Sequence, residues 1–241
     1  DPVDPFEDVA LILPETMQID SSGGGWVDRD GTVRLGKGGA LSITAMLAPT
    51  DRLDLGALTH ARAYGLGGNG GYSLLFGAPL VIGTKLPGDA APGTLLIRPD
   101  FFARSGFSSI KLDAPSVRVA EGVAVDATSA ALVLRVPDLA GNGVSYLDFA
   151  SGSDIYDVAA ITDLPLEQRK PELRRGMDLY FSRLETARGS RVSTDVGGAI
   201  EMVSGDISGT ILAPAGKIRI NGATHVTATG SLRAPGAVLV T

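Results

Sequence analysis

The amino-acid sequence predicts an all-β chain wound as a solenoid of parallel strands, and three observations lead there. The first is an internal repeat: Gly209-Thr-Ile-Leu-Ala-Pro-Ala-Gly216 is echoed by Gly230-Ser-Leu-Arg-Ala-Pro-Gly236, 21 residues later. Each copy runs into a short aliphatic strand, Lys217-Ile-Arg-Ile220 and Ala237-Val-Leu-Val240. A period near 20 residues, made of strand, Gly/Pro corner and strand, marks units that bury their apolar faces against one another. The second observation is composition. The 241 residues include 32 glycines and 14 prolines, well above the average usage of about 12% for the two together. The third is that hydrophobic residues make up 44% of the chain but aromatics only 5%, so the interior is filled by Val, Ile, Leu and Ala in thin, regular layers.

Taken in order, residues 1–30 form an irregular leading segment, with Pro2, Pro5, Pro14 and the run Gly23-Gly-Gly25. A first rung follows: Thr32-Val-Arg-Leu35 alternates with period two, turns at Gly36-Lys-Gly-Gly39 and resumes as Ala40-Leu-Ser-Ile-Thr44. The string Gly38-Gly-Ala-Leu-Ser-Ile43 returns as Gly197-Gly-Ala-Ile-Glu-Met202, which predicts the same rung design at both ends of one continuous architecture over 1–241. Ala61–Gly77, with Gly67-Gly-Asn-Gly-Gly71, reads as a glycine-rich loop within an insertion over 60–90. Strands are predicted at Leu95–Arg98, Ser109–Leu112, Val117–Val119, Val123–Val125 and Ala131–Val136. A charged excursion with Pro165 and Pro171 belongs to a second insertion over 140–175, and Met177–Leu184 alternates as a returning strand. The last stretch offers Ala199–Met202, Ile207-Ser208, Thr210–Leu212, Ile218–Ile220, His225–Ala228, Ser231–Arg233 and Val238–Val240. In a parallel coil such strands stack about 4.8 Å apart, so roughly seven to ten turns make a rod on the order of 35–50 Å long.

Charge and residue usage exclude several functions. The net charge is −6, and the Arg-rich run from Arg169 to Arg175 is short and interrupted by Glu172, so no basic surface for nucleic acid is expected. There is no cysteine, hence neither a disulfide framework nor thiolate chemistry; this suits a large exported bacterial protein, though intracellular proteins can lack cysteine too. No apolar run reaches the length of a transmembrane helix. The start at Asp1 without a leader, and the uncapped strand at Val238-Leu-Val-Thr241, suggest a segment cut from a longer chain.

Several segments resemble the large filamentous haemagglutinin-like exoproteins. Phe101-Phe-Ala-Arg-Ser-Gly-Phe-Ser-Ser-Ile110 followed by Val117-Arg-Val-Ala-Glu-Gly-Val-Ala-Val125 is similar to that family's turn and paired strands, with Ser105 where the family has glycine. Leu164-Pro-Leu-Glu-Gln-Arg-Lys-Pro171, then Met177-Asp-Leu-Tyr-Phe181, resembles its excursion and returning strand, and Gly205–Gly216 resembles its commonest coil. The resemblance covers about residues 90–241 and carries these motifs in the family's order. It implies a right-handed parallel β-helix, secreted by a two-partner route through an outer-membrane barrel transporter and displayed at the bacterial cell surface. Roles in cell adhesion or biofilm formation follow from it, with host or bacterial surface glycans or proteins, and the rest of its own chain, as partners.

Candidate chemistry is weighed against plainer readings. His60 and His225 lie in unrelated contexts, so no metal site is expected, and no Gly-x-Ser-x-Gly elbow accompanies them. Gly65-Leu-Gly-Gly-Asn-Gly70 mimics a dinucleotide fingerprint without the strand before it and the helix after it. Asp28-Arg-Asp-Gly31 reads as a turn because the glutamate of a calcium loop is missing. Asp148, Asp154 and Asp157, near Tyr146 and Tyr156, are the one tempting carboxylate set, able to cleave glycosides if correctly spaced; a solvated loop is the plainer reading. Tyr64, Tyr72, Phe76, Phe101, Phe102 and Phe107 concentrate aromatics in one third, either as core plugs or as an exposed contact patch. The expectation is a non-catalytic structural and adhesive rod segment, with no catalytic, cofactor or metal residues; the alternative is a carbohydrate-active β-helix enzyme.

Overall fold

A computed structural model of the chain describes residues 11–12, 17–27, 29–30, 33–46, 53–54, 61–65, 67–134, 156–160, 176–222 and 225–236. The strands before the main sheet are β1 (Leu11–Ile12), β2 (Ile19–Asp20), β3 (Gly25–Val27) and β4 (Val33–Leu35). Next come β5 (Leu41–Ala45), β6 (Leu53–Asp54), β7 (Ala61–Arg62), β8 (Gly70–Phe76), β9 (Leu80–Ile82) and β10 (Leu95–Ile97). A single helical turn, α1 (Phe101–Arg104), leads into β11 (Phe107–Asp113), β12 (Val117–Val119), β13 (Ala124–Ala127) and β14 (Ala130–Leu134). The chain then forms β15 (Tyr156–Ala160), β16 (Asp178–Thr186), β17 (Arg191–Thr194) and β18 (Ala199–Ile207). It closes with β19 (Thr210–Leu212), β20 (Lys217–Ile220), β21 (Val226–Ala228) and β22 (Ser231–Arg233).

The protein is all-β with mostly parallel strands, ordered in three ladders. The first runs β5–β8–β11–β16–β18–β20, using the leading halves of β16 and β18. The trailing halves of the same two strands join β10–β9–β12 and β21 in the second. The third is β13–β17–β19–β22. Because side chains alternate along each strand, every ladder sorts them into inward and outward columns.

Inward columns make the core. In the first ladder Leu41, Tyr72, Ile110, Leu179, Ile200 and Ile218 lie in register, and in the third Val125, Val192, Ile211 and Leu232. Ile110, Leu179, Ile200, Val125, Val192 and Ile211 are all buried, each contributing about 1.5–3 kcal/mol of transfer free energy. Leu41 and Ile200 occupy one column, so the two Gly-Gly-Ala strings do open equivalent strands.

The sequence repeat is the register itself. Thr210, Ile211 and Leu212 pair with Ser231, Leu232 and Arg233, an offset of 21. Ser231 N–H donates to Gly209 O at 2.9 Å. A Cβ on Gly230 would sit 2.0 Å from that same oxygen, so only glycine permits the layers to approach there. The next corner repeats too. Gly216 N–H donates to Ala213 O at 3.1 Å around Pro214-Ala215, and Ala215 takes φ 46°, where its repeat partner Gly236 takes φ 77°. A positive φ at the third position is what a type II turn with Pro at its second position requires.

Some expectations need correction. Gly70–Phe76 is not a loop: β8 sits between β5 and β11, with Tyr72, Leu74 and Phe76 inward and buried. Its glycine and tyrosine content hid an alternation carried by only three side chains. β4, expected as a parallel rung, pairs antiparallel with β3, and β14 pairs antiparallel with β15, so two hairpins accompany the parallel ladders. The six clustered aromatics are buried at 0–7% exposure, which removes the exposed-patch reading. Tyr72, Phe101 and Phe107 contact one another at centroid distances of 5.1–6.1 Å. Ser105 fits where the resembled motif has glycine because its φ is −80°, whereas Gly106 takes φ 66° against the Tyr64 ring.

Candidate binding face

Outward columns carry the polar chemistry, and the first ladder differs from the other two. Its outward column reads Ser42, Ser73, Lys111, Tyr180, Glu201 and Arg219, one residue per strand. The neighbouring column is Gly71, Ser109, Asp178, Ala199 and Lys217. A shallow depression of about 230 Å³ lies there, floored by the backbone of β11 and β16 at Ile110 and Leu179 and edged by Ser109, Lys111, Asp178, Tyr180, Ala199 and Glu201.

The groups around it are held by local bonds. Lys111 Nζ lies 5.1 Å from the centroid of the Tyr180 ring and 3.5 Å from Asp113 Oδ2. Arg219 Nη1 lies 3.4 Å from Glu201 Oε1. Asp178 Oδ1 accepts the Ala199 N–H at 2.9 Å, which fixes its carboxylate at the strand edge. These pairs are partly exposed and individually weak, on the scale of 0–1 kcal/mol, so the face is charged without being rigidly locked.

The other faces carry ion pairs as well. On the second ladder Arg118 pairs with Asp89 at 3.1 Å, and Arg183 bridges Glu185 at 2.9 Å and Asp206 at 3.1 Å. The Arg118 guanidinium, by hydrogen bond and charge, holds the Asp89 carboxyl below its ordinary range. On the third, Arg191 Nη2 donates to both Asp126 oxygens at 2.7 and 2.8 Å, and Ser193 donates to Oδ1. Burial pushes the Asp126 pKa up, but the bonds from Ser193 and Arg191 and the Arg191 charge outweigh it and leave the net shift downward.

The residues singled out in the sequence fare unevenly. Asp157 lies on β15 in register with Val133, and Tyr156 with Leu134, whereas Asp148, Asp154 and Tyr146 fall outside the described residues. His60 and most of the 140–175 segment also fall outside them. His225 is exposed and its Nε2 meets Thr227 Oγ1 at 2.8 Å. Arg29 and Asp30 form a turn. In the glycine-rich string Gly65 N–H donates to Asn69 Oδ1 at 3.3 Å, the Asn69 amide donates to Ala130 O, and a strand rather than a helix begins at Gly70. No group of three or more metal-ligating side chains occurs among the described residues, nor any helix long and apolar enough to cross a membrane.

Sequence reasoning missed the Lys111–Tyr180–Glu201–Arg219 column. The only available signal was the alternation of Met177–Leu184, which sets Tyr180 opposite Leu179 and Phe181; nothing local joins it to Lys111, 69 positions earlier. No protein family, no curated protein and no solved structure matches this chain.

Proposed function

We propose that the chain is a stretch of a right-handed parallel β-helix serving as the non-catalytic, adhesive rod of a secreted bacterial surface exoprotein, similar to the filamentous haemagglutinin-like adhesins. The single observation that carries the reading is the coincidence of sequence repeat and strand register, in which Gly209–Leu212 lies against Gly230–Arg233. Corners that demand glycine, inward aliphatic columns and three concurrent parallel ladders are what such a coil requires. Parallel crossovers are right-handed in about 98% of cases. The motif order around Phe101–Val125 and Gly205–Gly216 supports the kinship. Export through an outer-membrane barrel and display at the cell surface belong to the same proposal.

The test is attachment. Beads coated with the purified chain are expected to adhere to bacterial or epithelial surfaces above uncoated controls, with no loss of polysaccharide length in a panel of acidic and neutral substrates. Bond cleavage abolished by Asp154→Asn would replace the rod with the carbohydrate-active alternative. Failure to adhere to any surface would leave a bare spacer.

A further inference from the structure

Across the described side chains the aromatic residues share one fate with a single exception. Tyr64, Tyr72, Phe76, Phe101, Phe102, Phe107 and Phe181 are buried, and Tyr180 alone lies part-exposed on an outer face. Its ring borders the shallow depression, and its neighbours there are Ser109, Lys111, Asp178 and Glu201. We infer that this depression is a binding subsite for a pyranose unit of an uncharged polysaccharide, which runs along the ladder and stacks one sugar face on Tyr180. The inference rests on the adhesive reading and names its ligand.

Three features select that chemistry. The Tyr180 ring suits the C–H face of a sugar, and it is set beside a shallow depression whose rim is polar. The rim supplies both kinds: Asp178 and Glu201 accept from hydroxyls, while Lys111 and Ser109 donate. Asp113, Asp178 and Glu201 balance Lys111, Lys217 and Arg219 on this face, so it carries no net charge to draw in uronic, sialylated or sulfated chains. The Lys111 ammonium already rests over the Tyr180 ring and near Asp113, in contacts loose enough for it to swing onto a ligand hydroxyl. Ser73 and Ser42 continue the column on one side of the subsite and Arg219 on the other, so affinity comes from several weak contacts together.

The experiment is binding of the purified chain to immobilised neutral hexose polysaccharides and to matched acidic ones, read by surface plasmon resonance. The wild type is expected to prefer the neutral set. Tyr180→Ala should weaken binding about tenfold or more, the scale on which a central aromatic contact acts, while Tyr180→Phe keeps the ring and binds like wild type. Ser109→Gln, which fills the depression and leaves Tyr180 in place, should weaken it as well, and circular dichroism confirms that each variant is folded. Preference for acidic chains, absence of neutral binding, or indifference to both Tyr180→Ala and Ser109→Gln would overturn the subsite. Should cell attachment persist in Tyr180→Ala, the subsite fails and the adhesive rod stands; loss of attachment by every variant and the wild type sinks the rod itself.

Discussion

Replacing Asp195 by alanine removes one carboxylate that fastens both ends of the 130–176 excursion. Asp195 Oδ2 accepts the Ser129 N–H at 2.9 Å, just before the chain leaves the ladders, and Oδ1 accepts the Met177 N–H at 2.9 Å, where it returns. Ser129 is 3% exposed and Met177 fully buried, so water does not readily take over from the lost acceptor. Hydrogen bonds to a charged group contribute about 1.5–3 kcal/mol each. Two of them, discounted because Asp195 itself is partly exposed, give an expected loss of about 2–4 kcal/mol for Asp195→Ala. At roughly 2–4 °C per kcal/mol for a chain of this size, the melting temperature should drop by about 5–15 °C. Asp195→Asn keeps one acceptor oxygen but turns an amide towards the other N–H, so its loss should fall in between. Thermal unfolding by circular dichroism measures both, and limited proteolysis should cut the excursion faster in the alanine variant. A change below about 0.5 kcal/mol in Asp195→Ala, the range of an ordinary surface substitution, would refute the clamp.

Other expectations follow from the corners, the core and the charges. Ala215→Gly relieves a left-handed backbone worth about 1–2 kcal/mol and admits unfolded-state entropy of about 0.4–1 kcal/mol, so urea denaturation should show a gain of about 0.5–1 kcal/mol. Gly230→Ala places a Cβ against Gly209 O and should lose roughly 1–3 kcal/mol in the same assay. Phe102→Ala, at the fully buried aromatic of α1, should lose about 3–5 kcal/mol in equilibrium unfolding. Asp126 has a folded pKa held below its unfolded value, so its stabilisation is complete above the unfolded carboxylate pKa of about 3.9 and is lost as pH falls through the folded one. Asp126→Asn should therefore flatten the acid limb of a stability–pH curve while leaving the neutral plateau lower; an unchanged acid limb would contradict the shift.

Much of the fold was legible because its rules are local. Alternation located β12, β19 and β22 to the residue, and the Gly209/Gly230 offset announced the register of β19 on β22. The turn that the resemblance implied at Phe101-Phe102 is a single helical turn, α1, and a strand follows it. β8 was illegible because two leading glycines and an inward tyrosine resemble loop composition, and only the strands on either side give Tyr72 a buried place. β4 alternates like any rung, but alternation specifies which faces a strand has and leaves its partner and direction open.

An all-β chain with aliphatic interior columns, glycine-dependent corners and no thiol chemistry is already implied by residue order, because period, corner residues and composition are properties of neighbours along the chain. Tertiary structure alone decided which outward residues meet. Lys111, Tyr180, Glu201 and Arg219 are separated by 69, 21 and 18 positions, and strand pairing sets them side by side. An excursion of variable length enters between rungs without changing their spacing, so sequence separation carries no information about distance across the ladder, and the candidate binding face exists only once the layers are stacked.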